Sequence, residues 1–322
     1  MNKIDAVITW VDGNDPIHIA KREQYGTQKM LVTDDVAGST RYISVGEIFY
    51  CVASLNRFAP WLNKIYLVTD DQDPGLGDFL NKHFPEGHIP VEIVSHKTIF
   101  EGYERFLPTF NSITIESMTW RIPGLSEHYI EFNDDLILSA PVYPQDFFTP
   151  EGNPICYGKM YSSILVRISR FLKSRLDGRK AVTYKETMMN AASLLGYKAR
   201  MLKVYHTPKP LCKSFYQRYF EKHPQVLERN IRHRFRHYTQ FNPQVLQYMV
   251  FHRMGLTPLR RAYDNLLYLK PTKDDAYVQE KLRLFTQRNG YKFGCFNSLD
   301  QATEESRSLV FKWIEDRLRL NP

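Results

Sequence analysis

The feature that most restricts how this chain can fold is an alternation in its first half, where short β-branched or apolar runs are separated by amphipathic stretches. Ala6 to Trp10, Lys64 to Thr69, Val91 to Val94 and Tyr129 to Phe132 read as strands. Between the first two, Val45, Ile48, Phe49, Val52 and Leu55 share one helical face, opened by Ser44 and Glu47 as a capping box and closed before Pro60. Strands alternating with helices in this way predict an α/β fold built on a parallel sheet. In open sheets of that class, ligands gather at the carboxyl ends of the strands. Two acidic sequences stand just there: Val11 to Pro16 follows the first strand, and Asn133, Asp134 and Asp135 follow the fourth. They are expected to face one crevice despite their distance along the chain.

Charge divides the chain in the same direction. Residues 1–135 hold 20 acidic and 11 basic side chains, whereas residues 197–262 hold 14 basic and 2 acidic ones. Carboxylates suit a divalent cation and basic groups suit phosphate, so a metal-assisted phosphate site between the halves accounts for the asymmetry. The competing reading is a basic surface for nucleic acid or anionic lipid. From about Gly158 the sequence turns helical, tyrosine-rich and basic, which divides it into an α/β half over 1–157, expected to carry the metal and phosphate chemistry, and a mostly helical basic half over 158–322, expected to complete the site. The stretch Ser162 to Arg179 is a basic amphipathic helix, suited to packing on a core or to lying on an anionic membrane. Cys51, Cys156, Cys212 and Cys295 form no CxxC pair, so they read as buried thiols rather than zinc ligands or disulfides. No apolar run of about 18 residues and no signal peptide is evident, which predicts a cytoplasmic protein.

The candidate site residues fall in five places. Trp10 ends the first strand beside Asp12, Gly13 and Asp15; its ring is a seat for a nucleobase or sugar, while the two aspartates suit either a turn or a metal. Asn133, Asp134 and Asp135 put adjacent carboxylates on one turn, which costs repulsion unless a cation or donors compensate. Asn111 or Ser112 is a natural helix N-cap ahead of Glu116 and Arg121, and the same helix start could receive phosphate or sugar hydroxyls. His206 precedes the restricted Thr207-Pro208-Lys209-Pro210 segment, in a region without carboxylates that could act as a base. Arg232, Arg234 and Arg236 alternate with His233, Phe235 and His237, a spacing that puts the arginines on one face of an extended segment, toward phosphate or toward solvent.

Taken together, these segments resemble the Stealth family, which includes bacterial capsule polymerases and the lysosomal-enzyme GlcNAc-1-phosphotransferase of animals. The resemblance lies in IDAVITWVDGNDP, in the region from RYISVGEIFYCVASLNRFAPWLNKIYLVTDDQDP through FLPTFNSITIESMTWRIPGLSEHYIEFNDDLIL, in VYHTPKP with HRFRHY, and in KFGCFNS. It implies a Rossmann-like nucleotide-sugar-binding sheet of the glycosyltransferase-A kind, a UDP-hexose or UDP-hexosamine donor, Mg²⁺ or Mn²⁺, and loss of UMP rather than UDP. Matching positions are Asp12, Arg41, Asp70, Gln72, Asn111, Glu116, Arg121, Asn133, Asp134, Asp135, His206, Arg234 and Asn297. Two positions depart from the pattern: Ala53 stands where the family carries an arginine, and Ser298 stands where an aspartate follows the asparagine.

These readings give a concrete expectation. Asp134 or Asp135 holds the metal with Asp12 nearby, Arg234 and Arg236 neutralise the pyrophosphate, and His206 takes the proton of a glycan hydroxyl that attacks the sugar-bearing phosphorus. Trp10, Arg41, Asp70, Gln72, Asn111, Ser112, Glu116, Arg121, Asn133 and Asn297 are expected around the substrates. The enzyme is expected to serve capsule or exopolysaccharide synthesis, peripherally at the cytoplasmic face of the inner membrane with capsule machinery, and not to bind nucleic acid. An ordinary glycosyltransferase releasing UDP is the nearest alternative, and a non-catalytic basic binding protein for nucleic acid or anionic membrane is the other.

Overall fold

The computed structural model describes residues 3–26, 43–164, 166–168, 184–262, 265–272, 274–287 and 290–320. The first half runs β1 (Ile4–Thr9), α1 (Pro16–Tyr25), α2 (Glu47–Phe58), β2 (Ile65–Thr69), α3 (Leu76–His83), β3 (Val91–Ser95), α4 (Ser112–Glu116), β4 (His128–Asn133) and β5 (Leu136–Leu138). The second runs β6 (Cys156–Ser162), α5 (Tyr184–Leu194), β7 (Arg200–Val204), β8 (Lys209–Cys212), α6 (Lys213–Lys222), α7 (Pro224–Ile231), α8 (Pro243–Arg253), β9 (Leu259–Arg260), β10 (Leu266–Leu269), α9 (Asp275–Gln287), β11 (Phe293–Phe296) and α10 (Glu304–Leu318).

The four strands expected from the sequence form one five-stranded sheet with β8, in the order β3-β2-β1-β4-β8. The first four are parallel, and β8 closes the edge antiparallel to β4. After β1 the chain works outward to β2 and β3, then returns to the opposite side of β1 as β4. Ligand crevices open at such a reversal of strand order. Here it brings the end of β1 against the end of β4, with Thr9 paired to Asn133.

Side-chain alternation assigns the two faces of the sheet. Ala6 and Ile8 of β1 pack with Ile48, Val52 and Leu55 of α2. Val7, Tyr66 and Tyr129 face the other way, into a core with Ile115, Met118, Met188, Val245 and Leu246. Asp5 is fully buried but satisfied, since Asn63 and the Ser126 amide both donate to its carboxylate at 2.7 Å. The start of α2 differs from the expected capping box. Gly46, at φ 100°, holds the N-cap position, and Glu47 turns back to accept from the Val45 amide at 2.8 Å. A left-handed backbone there favours glycine.

Three features bind the C-terminal half to this framework. β8 belongs to the main sheet, β5 leaves it to pair with β11 beside β10, and α10 packs on α2. The division expected between residues 157 and 158 falls inside β6, which pairs with β7 and β9. All four cysteines are buried and free. Ala53 is fully buried in a cluster with Ile137, Leu267, Val310 and Ile314, a position without room for a charged side chain. Most of the basic stretch 162–179 lies outside the described residues.

Candidate active site

The crevice at the ends of β1 and β4 contains a cavity of about 590 Å³, within the usual small-molecule range of roughly 300–1,000 Å³. Trp10 stands at the end of β1, its indole N–H donating to Ser44 Oγ at 3.2 Å. Asn133, Asp134 and Asp135 line the cavity from the turn between β4 and β5, and Asn111, Ser112 and Arg236 line it from the opposite side. A second cavity of about 210 Å³ adjoins it, lined by Glu116, Glu131, Tyr184, His206, Lys209 and Gln244 among others. Ser112, Asn133, Asp135, Arg236 and Asn297 line both, so the two chambers meet at these side chains.

The carboxylates of the larger chamber stand close enough to disfavour one another's charge. Burial first, then Glu47 and Asp135, hold Asp134 well above the ordinary aspartate range. Burial also raises Asp135, against hydrogen bonds from Asn297 Nδ2 at 3.4 Å and Cys295 Sγ at 3.7 Å. Glu47 is raised by burial, with Asp135 and Asp300 adding repulsion. Among the described residues no three His, Cys, Asp or Glu side chains converge as a ready-made metal cage. Magnesium at nucleotide sites commonly takes one or two carboxylates and completes its shell with phosphate oxygens and water. The donor set of Asp134, Asp135 and Asn133 is all hard oxygen and short of positive charge, and it fits such a cation.

His206 lines the smaller chamber with its ring between Tyr184 and Tyr268, at centroid distances of 5.7 and 5.6 Å. Surrounding protein, then the charges of Lys209 and Lys203, hold its pKa below the ordinary histidine value, so it is neutral at physiological pH. Lys209 sets the loop that carries it. Its ammonium donates to the carbonyls of Tyr205 and Thr207, both at 2.5 Å, on either side of His206.

The structure separates the arginines of the 232–237 segment. This segment is an irregular coil rather than a strand, because Phe235 turns inward to stack on Phe110. Arg236 donates to Ser112 Oγ at 2.9 Å and lines both chambers. Arg234 donates to the carbonyls of Arg105 and Leu107 and lies over the Tyr25 ring, outside the residues that line the chambers.

Several other expected site residues are engaged in holding the walls together. Asp12 accepts from the Asn14 amide, and its own backbone N–H and carbonyl pair with the Gln72 side-chain amide at 2.9 and 3.1 Å. This ties the turn after β1 to the turn after β2. Asp15 caps α1 by accepting from the Ile17 and His18 amides. Asp70 pairs with Lys21 at 3.0 Å, and Arg121 donates to the Ile99 and Glu101 carbonyls. Asn111, fully buried, caps α4 and donates to the His233 carbonyl and Gln240, so the helix start is engaged internally although Asn111 and Ser112 line the larger chamber. Arg41 lies outside the described residues.

Glu47, Lys270, Ser298, Asp300 and Gln301 line the larger chamber, and Glu131, Lys209 and Gln244 the smaller, without having been singled out as ligands. For Glu47 and Glu131 a signal existed: an acidic side chain within an otherwise buried helix face or strand. Ser298, where the resemblance would put an aspartate, has φ 68° and donates to Asn297 Oδ1 at 3.1 Å. A non-glycine residue in that left-handed region beside a cavity marks a position held by its surroundings.

Comparison with known proteins agrees with the first two sequence blocks. The family models Stealth protein CR1, conserved region 1, and Stealth protein CR2, conserved region 2, match residues 2–30 and 41–156. The receptor polysaccharide phosphotransferase WefC of Streptococcus oralis is 33% identical over 273 residues, spanning 77% of this chain and 78% of its own length. The capsular polysaccharide phosphotransferase WcwK of Streptococcus pneumoniae shows the same identity and coverage. An exopolysaccharide phosphotransferase of Streptomyces coelicolor is 46% identical over 149 residues, which is 46% of this chain and 23% of that one. Among solved structures, the galactosyltransferase LgtC in complex with donor and acceptor sugar analogs superposes with a TM-score of 0.44 at 10% identity, covering 98% of this chain and 96% of that one, too loosely to bear on the site.

Proposed function

The chain belongs to the Stealth family and is a sugar-phosphate transferase, and on that premise we propose that it transfers a hexose or N-acetylhexosamine 1-phosphate from a UDP-sugar to a glycan hydroxyl. The transfer forms a phosphodiester and releases UMP, in capsule or exopolysaccharide assembly. The observation that carries this reading is the meeting of two chambers at Asp135 and Arg236. In-line phosphoryl transfer needs the leaving nucleotide on one side of the phosphorus and the attacking oxygen on the other. The larger chamber, with Trp10 and the strand ends, takes the nucleotide and pyrophosphate. The smaller one brings an acceptor hydroxyl to His206.

In this reading neutral His206 takes the hydroxyl proton as the new phosphorus–oxygen bond forms and the bond to UMP breaks. Arg236, held by Ser112, neutralises charge on the transferring phosphate. Asp134 and Asp135, with Asn133, would hold Mg²⁺ or Mn²⁺, which supplies charge neutralisation at the pyrophosphate oxygens when bound. No helix among the described residues is long and apolar enough to cross a membrane; the acceptor in this reading is a glycan presented at the inner-membrane surface.

The deciding experiment incubates the purified protein with Mg²⁺ or Mn²⁺, a set of UDP-sugars and a mixed oligosaccharide acceptor, and identifies the released nucleotide. UMP that requires both acceptor and metal is the expected result. UDP would instead identify attack at the anomeric carbon, the reaction of an ordinary glycosyltransferase.

A further inference from the structure

The ribbon that leads into the His206 loop carries two cations without a counter-charge. β6 and β7 are antiparallel, and their register sets Lys159 directly opposite Lys203. Residues opposed in this way project from one face of a ribbon, where like charges repel. Both side chains are half-buried and so reach solvent. Among the described residues neither ammonium meets a carboxylate or makes a hydrogen bond. Each lies instead over the ring of Tyr161, at 6.0 Å for Lys159 and 5.9 Å for Lys203. One aromatic ring is a weak counterweight to two full charges, so the pair is still short of an anion.

The pair stands beside the candidate base. Past Val204 the ladder continues, with the Tyr205 amide donating to the Tyr157 carbonyl at 2.9 Å, and His206 is the next residue. After the surrounding protein and Lys209, the Lys203 charge is the next influence that holds down the His206 pKa, which puts it within electrostatic reach of the imidazole. His206 lines the smaller chamber and is itself solvent-exposed, so it stands at the chamber's rim. Lys159, Tyr161 and Lys203 line neither chamber. A glycan whose hydroxyl reaches His206 leaves the rest of its length outside that rim, and the β6–β7 ribbon is the surface continuous with it.

We propose that Lys159 and Lys203, flanking the Tyr161 ring, form a subsite for the part of the acceptor glycan that stays outside the chambers, and that the group bound there is a negatively charged substituent. The two ammoniums supply charge-assisted hydrogen bonds, and the ring offers a flat face to the sugar beside the anion. Lysine suits the task because its ammonium is a compact charge with three rotatable donors on a flexible stem. A phosphate and a carboxylate share the charge and the acceptor oxygens that such a pair recognises. The proposal rests on the reading of His206 as the end of the site that meets the acceptor, and it names that acceptor as an anionic glycan.

The test is calorimetric titration of the full chain with three probes: a neutral hexose disaccharide, the same disaccharide carrying one phosphate, and its counterpart with one hexuronic acid ring. The wild-type protein is expected to bind a charged probe roughly tenfold more tightly than the neutral one, with the preference shrinking as salt is raised. Tighter binding of the phosphate probe identifies a phosphorylated acceptor, and tighter binding of the uronate probe an acidic-sugar acceptor. The double substitution Lys159→Gln with Lys203→Gln is expected to abolish the preference, with affinity for the neutral probe and for UDP unchanged. Its melting temperature is expected to equal or exceed that of the wild type, since two opposed like charges are removed. Each single substitution is expected to lose part of the preference, so the two singles decide the matter if the double variant fails to fold. No preference in the wild type, absence of binding included, or a preference kept by the variants, overturns the proposal. The titration needs no turnover, so release of UDP by the wild-type protein would reject the phosphate-transfer reading separately and leave the subsite to be judged by its own result.

Discussion

The coil from Arg232 to His237 shows how far a residue's neighbours in sequence underdetermine its role. Its three arginines look equivalent at a spacing of two, yet Arg236 lines both chambers and Arg234 braces the 105–107 segment against α1. Arg236→Ala is expected to lower kcat on the order of 10²-fold with little change in melting temperature. Arg234→Ala is expected to cost about 1–2 kcal/mol of stability, from lost carbonyl bonds and the ring contact, with a smaller change in kcat. Steady-state kinetics and denaturant unfolding on both variants separate the two roles. His96 offers a test of pH dependence. It is 2% exposed, both ring nitrogens lack hydrogen-bond partners, and burial holds its pKa down to about 4 despite Asp70. Between pH 6.5 and 4 the unfolded chain binds a proton that the native state refuses, so stability falls as pH falls through that window. His96→Phe should flatten this fall by on the order of 1–2 kcal/mol, measured by unfolding at pH 4.5 and pH 7.

At the scale of elements, the site depends on which loops are held and by what. The turn carrying Asp134 and Asp135 lies between two strands that part company: β4 stays in the main sheet and β5 crosses to β11. The Phe296 amide donates to the Asp135 carbonyl at 3.1 Å, so the last strand positions the turn that carries Asp134 and Asp135. The Tyr205 to Thr207 loop is held by Lys209 through two carbonyls. Lys209→Met keeps the aliphatic stem and removes the clamp. It is expected to lower kcat roughly 10- to 100-fold through misplacement of His206, while circular dichroism and the unfolding transition stay close to wild type. A melting transition lost altogether would show instead that Lys209 holds the fold.

Across the whole molecule, the chambers are built from both halves of the chain. β1, β4 and α4 supply one set of walls, and the coil around Arg236, the His206 loop and the Asn297 turn supply the other. The main sheet likewise takes its edge strand β8 from the second half. A fragment of residues 1–157 would expose the β4 edge and the surface of β5 that meets β11, and paired edges left open favour association. Such a fragment is expected to show no cooperative thermal transition and to aggregate, checked by calorimetry and light scattering beside the full chain. A sharp transition would establish the first half as an independent domain.

The sequence by itself determined the α/β class, the four parallel strands to within a residue or two, the helix after Ser44, the buried thiols and the two acidic turns at strand ends. These are local quantities, set by side-chain periodicity, strand propensity and turn chemistry over windows of 5–15 residues. Its motif residues also led to the family. Only tertiary structure decided which of those residues line the chambers. Asp12 and Gln72 became a brace between two turns, Arg234 a clamp on a loop, and Ala53 a core position, while Glu131 and Gln244 came together in the smaller chamber across more than a hundred residues of chain. The physical reason is that a side chain's role follows from the charges and unpaired groups it meets in space. Those meetings are fixed by the reversal of strand order at β1 and β4 and by the return of β8 and β11, which no local window of sequence contains.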